Sequence, residues 1–297
     1  MRKSKGGAAV LLFVSFVLFI LAVSGCARAV LRVRADEYRQ KYQGGAPLLV
    51  ALGDSITNGH GLPYGLELGA VAARECGFSY SNNAQSGAAT YDLLDRLCGG
   101  PTALDAGDAD AYVSDRTPKD VAAADYIVLS VGGNDFLADK ARFLETLLKT
   151  AAGNTSVLEE TLARAAKGFS DCLKKIRALN ARAPVIVLTN YAPQTAHKRV
   201  VEGLPDGVPK AGAMLFALMD QAMSGTPDGR VVGFNRRCRD IAADIPAVYF
   251  ADTKALIDGR PELMQDEPFP VHPNADGHAA IGRLVADAIK DAIKLTF

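Results

Sequence analysis

The segment Val50-Ala51-Leu52-Gly53-Asp54-Ser55-Ile56-Thr57-Asn58-Gly59 places a serine hydroxyl directly behind a short apolar run. Leu48 to Leu52, bounded by Pro47 and Gly53, reads as a buried parallel strand. A serine on the turn that follows such a strand lies at the sheet edge where open α/β folds bind ligands. A hydroxyl there attacks an acyl carbonyl only if a nearby base takes its proton. The charge formed on the carbonyl oxygen also needs donors already aimed at it. Three later segments carry suitable groups: Asn82-Asn83-Ala84-Gln85-Ser86-Gly87, Gly132-Gly133-Asn134-Asp135 and Val271-His272-Pro273-Asn274. His272 is the candidate base, in a loop before the last helix.

Strands are expected at Leu48–Leu52, Phe78–Asn82, Tyr126–Val131, Val185–Thr189 and Ala247–Phe250. Amphipathic helices are expected around residues 65–75, 155–180 and 229–243, with a last helix from Ala275 to Lys294 capped by Asn274. This alternation implies a flavodoxin-like three-layer α/β/α sandwich on a five-stranded parallel sheet. Gly99 to Asp120 reads as an irregular excursion, and residues 195–228 as a surface loop or a lid near the strand ends.

In this order and on this scaffold the four blocks resemble the GDSL or SGNH hydrolase family, from Leu48 to the end of the last helix. The resemblance implies a serine esterase that forms an acyl-enzyme on Ser55, with His272 as base and then acid. The oxyanion donors it implies are the Ser55 and Gly87 amides and the Asn134 side chain. No cofactor and no metal are implied, and His60, His197 and His278 read as surface or packing residues. Asp54 and Asp135 read as braces of their loops, and Tyr191 as lining the acyl pocket or packing. The family's usual aspartate three residues before the histidine is absent, since Phe269 stands there. Asp266 is placed first as a substitute orienter of the imidazole, ahead of Glu267. A backbone carbonyl near Phe269, or an impaired site, remains open. The implied substrates are small-molecule or lipid acyl esters. The alternatives are O-acetyl groups of cell-wall glycans, hydrolysed or transferred, and a surface-binding lipoprotein without catalysis.

At 297 residues the chain suits one large domain. Its 33 basic and 33 acidic residues give no basic surface for nucleic acid. Arg2, Lys3 and Lys5 precede an uncharged stretch from Ala8 to Ser24, the arrangement of a signal peptide. Leu21-Ala22-Val23-Ser24-Gly25-Cys26 resembles a bacterial lipobox. Residues 1–25 would then be removed and Cys26 lipidated, with 26–46 a tether and 47–297 the domain. The expected location is outside the cytoplasm, anchored in the membrane through Cys26. Cys76, Cys98, Cys172 and Cys238 remain; pairing of the first with the second and the third with the fourth is expected, four reduced thiols being the alternative.

Overall fold

The computed structural model describes residues 45–100, 116–192, 208–267 and 270–296. The expected signal segment, and the expected tether up to residue 44, therefore lie outside the described residues. Five strands form one all-parallel sheet: β1 (Leu48–Gly53), β2 (Ser79–Asn82), β3 (Tyr126–Ser130), β4 (Val185–Leu188) and β5 (Val248–Ala251). Their order across the sheet is β2-β1-β3-β4-β5, the doubly wound arrangement the alternation implies. Each strand lies within two residues of the span expected from sequence.

Alternation along the strands divides the core into two layers. On one face, Val50, Leu52, Ile127, Leu129, Val185 and Val187 are buried. They pack under α3 (Thr90–Leu97), α7 (Ser156–Leu179) and α9 (Phe234–Ala242). On the other, Leu49, Ala51, Val128, Ile186 and Leu188 are buried under α2 (Leu68–Cys76) and α11 (Ala275–Thr296). Helix α7 earns its length from Leu158, Leu162, Ala165, Phe169, Leu173 and Ile176, one apolar face at helical spacing.

The other helices among the described residues were not read from sequence. They are α1 (Ser55–Asn58), α3, α4 (Arg116–Ala123), α5 (Gly133–Leu137), α6 (Lys140–Ala151), α8 (Val208–Ser224) and α10 (Thr253–Ile257). The excursion expected to reach Asp120 thus ends in α4, and the loop expected at 195–228 contains α8. Leu215, Leu218, Ala222 and Met223 of α8 are buried against the larger core layer, which explains its helical period.

All four described cysteines are free, against the expected pairing. Cys76 ends α2 on one face of the sheet, whereas Cys98 follows α3 on the other. Cys172 points its thiol at the Thr90 carbonyl, 3.2 Å away, and burial raises the thiol pKa of both Cys172 and Cys238.

The α2–α11 contact contains a buried imidazole. His278 is fully buried, and its Nδ1 accepts the N–H of Leu68, the first residue of α2, at 3.2 Å. Only an unprotonated Nδ1 can accept, and burial, followed by the charge of His272, holds the pKa of His278 down to about 3. A histidine in the unfolded chain titrates near about 6.5. Below that value the unfolded state takes up a proton that the folded state refuses. This contribution to stability is therefore complete above about pH 6.5 and is lost as pH falls toward about 3. The carboxyls of Asp54, Glu67 and Asp135, raised by burial, act in the opposite sense, so the test is a difference between proteins. Urea midpoints of the wild type and His278→Gln, compared from about pH 7 to about pH 4.5, are expected to converge as pH falls. Parallel curves would exclude His278 as the source.

Candidate active site

The nucleophile turn is set by a close approach of two strand ends. Gly53 and Ser130 are partners in the β1–β3 register. Gly53 has φ 123°, and a Cβ there would lie 1.7 Å from the Ser130 carbonyl oxygen, so only glycine fits. The Asp54 N–H donates to that same oxygen at 3.0 Å. The Asp54 carboxylate accepts the Ser130 hydroxyl at 2.5 Å and caps α1 by accepting the Ile56 N–H at 3.0 Å. Burial pushes the Asp54 carboxyl up to about 6; these two hydrogen bonds and the His272 charge pull the other way. Asp54 is thus a brace, as its turn position suggests, and Ser55 is the first residue of α1.

The second block is tied to the first. The Gln85 N–H donates to the Gly53 carbonyl at 2.8 Å, and Asn58 Nδ2 donates to the Ala84 carbonyl at 2.9 Å. Ser86 donates its hydroxyl to Asn58 Oδ1 at 3.1 Å. Gly87 has φ 86°, a left-handed conformation that turns the chain beside this loop. The third block is tied to the second: Asn134 Nδ2 donates to the Ala88 carbonyl at 3.0 Å. An amide group has two N–H donors, so one anchors the side chain and the second is left for a ligand. Asp135 accepts the Thr90 N–H at 2.9 Å and its hydroxyl at 2.6 Å. Gly168 of α7 makes room for Thr90, since a Cβ there would lie 2.0 Å from the threonine hydroxyl. Asp135 therefore braces the third block, its pKa raised by burial against those two donors.

His272 comes from a fold-back before α11. Met264 and Pro273 form an antiparallel bridge, and the Gln265 N–H donates to the His272 carbonyl at 2.9 Å. The chain between them must loop out and return. Gln265 Nε2 pins this loop to the nucleophile turn by donating to the carbonyls of His60 at 2.7 Å and Pro273 at 3.0 Å. Tyr191, behind β4, donates its hydroxyl to the Val271 carbonyl at 3.1 Å, so it supports the histidine loop. Burial, then the negative charges of Asp54 and Glu267, raise its pKa.

His272 Nε2 lies 3.1 Å from Ser55 Oγ, and His272 Nδ1 lies 2.8 Å from Glu267 Oε1. The carboxylate on the imidazole is that of Glu267, not of Asp266, which corrects the order expected from sequence. Glu267 is held there twice, since its Oε1 also accepts the His272 N–H at 3.3 Å. The family's usual offset of three residues does not apply to a loop closed in this way. Phe269, whose carbonyl was the other alternative, lies outside the described residues, as do Cys26 and His197.

Missed in the sequence reading were Ser130, Gln265 and the placement of His60. The His60 ring lies 4.3 Å from that of His272, centroid to centroid, tilted by 36°. Its Gly-His-Gly setting was the available signal.

Fold and side-chain geometry together define a serine hydrolase of the three-layer α/β class. Residues 51–280 match the GDSL-like Lipase/Acylhydrolase family. The chain belongs to that family and is a serine ester hydrolase. No curated protein matches it by sequence. The fold is similar to that of a lipase, Lip_vut3, from a goat rumen metagenome, with 23% identity over 82% of this chain and 97% of that one, TM-score 0.56. It is similar to phospholipase A1 from Streptomyces albidoflavus, with 20% identity over 82% and 98% of the two chains, TM-score 0.52. It is also similar to a carbohydrate esterase family 2 enzyme with a carbohydrate binding domain from Corynascus thermopiles (Myceliophthora fergusii). That pair is 18% identical over 85% of this chain and 68% of the other, TM-score 0.51.

Gly53→Ala is expected to cost about 3–5 kcal/mol in urea unfolding, because a backbone carbonyl cannot move aside. Gly77→Ala is the control: φ is 71° there but nothing lies within 4 Å of the added carbon, so about 1 kcal/mol is expected.

Proposed function

We propose that this hydrolase cleaves acyl esters of the lipid or lysophospholipid type through an acyl-enzyme on Ser55. The observation that carries the acyl-enzyme is the line Ser55 Oγ, His272, Glu267, with heavy-atom separations of 3.1 and 2.8 Å; the lipid class rests on the resemblance of the sequence blocks. His272 Nε2 takes the hydroxyl proton as Oγ bonds to the acyl carbon, and Glu267 holds the Nδ1 proton in place. The carbonyl oxygen, now an oxyanion, accepts from the Ser55 and Gly87 amides and the second N–H of Asn134. As this intermediate collapses, the ester C–O bond breaks and His272 Nε2 returns the proton to the leaving alcohol. Water then attacks the acyl-enzyme, giving its proton to His272, and Ser55 leaves with that proton as the acid departs.

Two features support full activity rather than a binding role. A carboxylate occupies the orienting position despite Phe269, and the second and third blocks are both tied toward the nucleophile turn. Ser55→Ala is expected to abolish p-nitrophenyl ester hydrolysis and fluorophosphonate labelling. Glu267→Gln is expected to lower kcat by about 10²–10⁴-fold, as loss of an orienting carboxylate does elsewhere, with Asp266→Asn left within about threefold. Equal losses in the two carboxylate variants would overturn the assignment of Glu267. A panel of esters of increasing chain length reads the substrate class. Activity on longer chains supports lipid esters, and activity confined to acetyl esters would move the substrate to glycan O-acetyl groups.

We also propose that the enzyme works outside the cytoplasm as a lipoprotein anchored through Cys26. The sequence features that support this are the basic residues at 2, 3 and 5, the uncharged run to Ser24, and Ser24-Gly25 before the cysteine. Diacylation followed by N-acylation would hold the domain at the membrane more firmly than a single chain could. Labelled palmitate is expected to enter the wild type and not Cys26→Ala. Equal labelling of both would dismiss the anchor.

A further inference from the structure

The His272 imidazole has two edges and two faces. Its edges are occupied: Nε2 by Ser55 and Nδ1 by Glu267. Both contacts act at the ring's edge, and a group packed on a face adds resistance to tilting of the ring. His60 occupies that position, with centroids 4.3 Å apart.

His60 is held there by three features separate from the stack. Its N–H donates to the Ser55 carbonyl at 3.1 Å, which places it one turn beyond the nucleophile. Its carbonyl accepts from Gln265 Nε2 at 2.7 Å, which ties it to the loop that carries His272. It is flanked by Gly59 and Gly61, at φ 83° and 79°, and both are crowded. A Cβ at Gly59 would meet the Glu67 side chain at 2.4 Å, and one at Gly61 would meet Gln265 at 2.7 Å. The backbone is therefore wound tightly around this one residue, and its side chain is delivered to His272.

We propose that His60 is a positioning residue of the hydrolase, a ring that packs on the face of His272 and keeps its Nε2 directed at Ser55. The inference rests on the Ser55–His272 chemistry given above and adds to it a residue that touches neither substrate nor reacting atom.

The test compares His60→Phe and His60→Ala in the otherwise intact enzyme, with p-nitrophenyl ester turnover and the rate of fluorophosphonate labelling as readouts. Phe keeps a flat ring on His272 and cannot be protonated; Ala removes the ring. At about pH 8, His60→Phe is expected within about threefold of wild type in both readouts. His60→Ala is expected to lose about tenfold or more in kcat and labelling rate with KM within about twofold, the pattern of a misdirected base. Wild-type kinetics in His60→Ala would overturn the inference, as would equal damage in Phe and Ala. Ser55→Ala, run alongside, separates the two levels. If it stays active, the Ser55 mechanism itself fails; if it is inactive while the His60 variants behave as wild type, only the role of His60 fails.

Discussion

The site depends on the contact between the ends of β1 and β3, where Gly53 and Ser130 leave no space for a side chain. That contact brings the Asp54 carboxylate onto the Ser130 hydroxyl, and the same carboxylate starts the short helix that carries Ser55. A buried carboxylate is costly unless hydrogen-bonded. Burial raises its pKa to about 6 even against those hydrogen bonds. The cost is offset by two donors, and the result is a nucleophile whose backbone cannot drift relative to the sheet. The other blocks are hung on this point in sequence: Gln85 on Gly53, Asn134 on Ala88, and Asp135 on Thr90.

The histidine reaches the same place by different means. It does not follow a strand, and its loop is fixed from three sides: by the Met264–Pro273 bridge, by Gln265, and by the Tyr191 hydroxyl. Behind it, α11 is pressed against α2, where a Cβ at Gly282 would lie 2.6 Å from the Val71 side chain. His278 joins the same two helices, so the catalytic loop is continuous with a tightly packed layer. Ser55 and His272 thus rest on different parts of the fold, 3.1 Å apart.

The fold class was legible because parallel strands buried on both faces read as short apolar runs. Leu48–Leu52 and Val185–Leu188 need no neighbour to be recognised. Several helices were not legible. Helix α8 lies in a stretch rich in proline and glycine at its start, and α5 is only one turn, with Gly132 at its N-cap and Asp135 bonded to Thr90. Such segments become helical because tertiary contacts bury them, and their local preference is weak. The cysteines show the same limit, since their even number suggested pairs while the sheet separates Cys76 from Cys98.

By itself, the order of residues pointed to Ser55, Gly87 and Asn134 through residue type behind a strand, and to His272 through its place before the last helix. Only the folded chain decided which carboxylate faces His272 and which ring covers it. Neighbours in sequence, Asp266 and Glu267 carry the same acid chemistry, and nothing in their spacing from His272 distinguishes them. The choice is made by a bridge between Met264 and Pro273 that turns the loop back on itself, and by a glutamine that ties the loop to His60. The glutamine contact crosses 205 residues of chain, and a linear pattern holds no record of it.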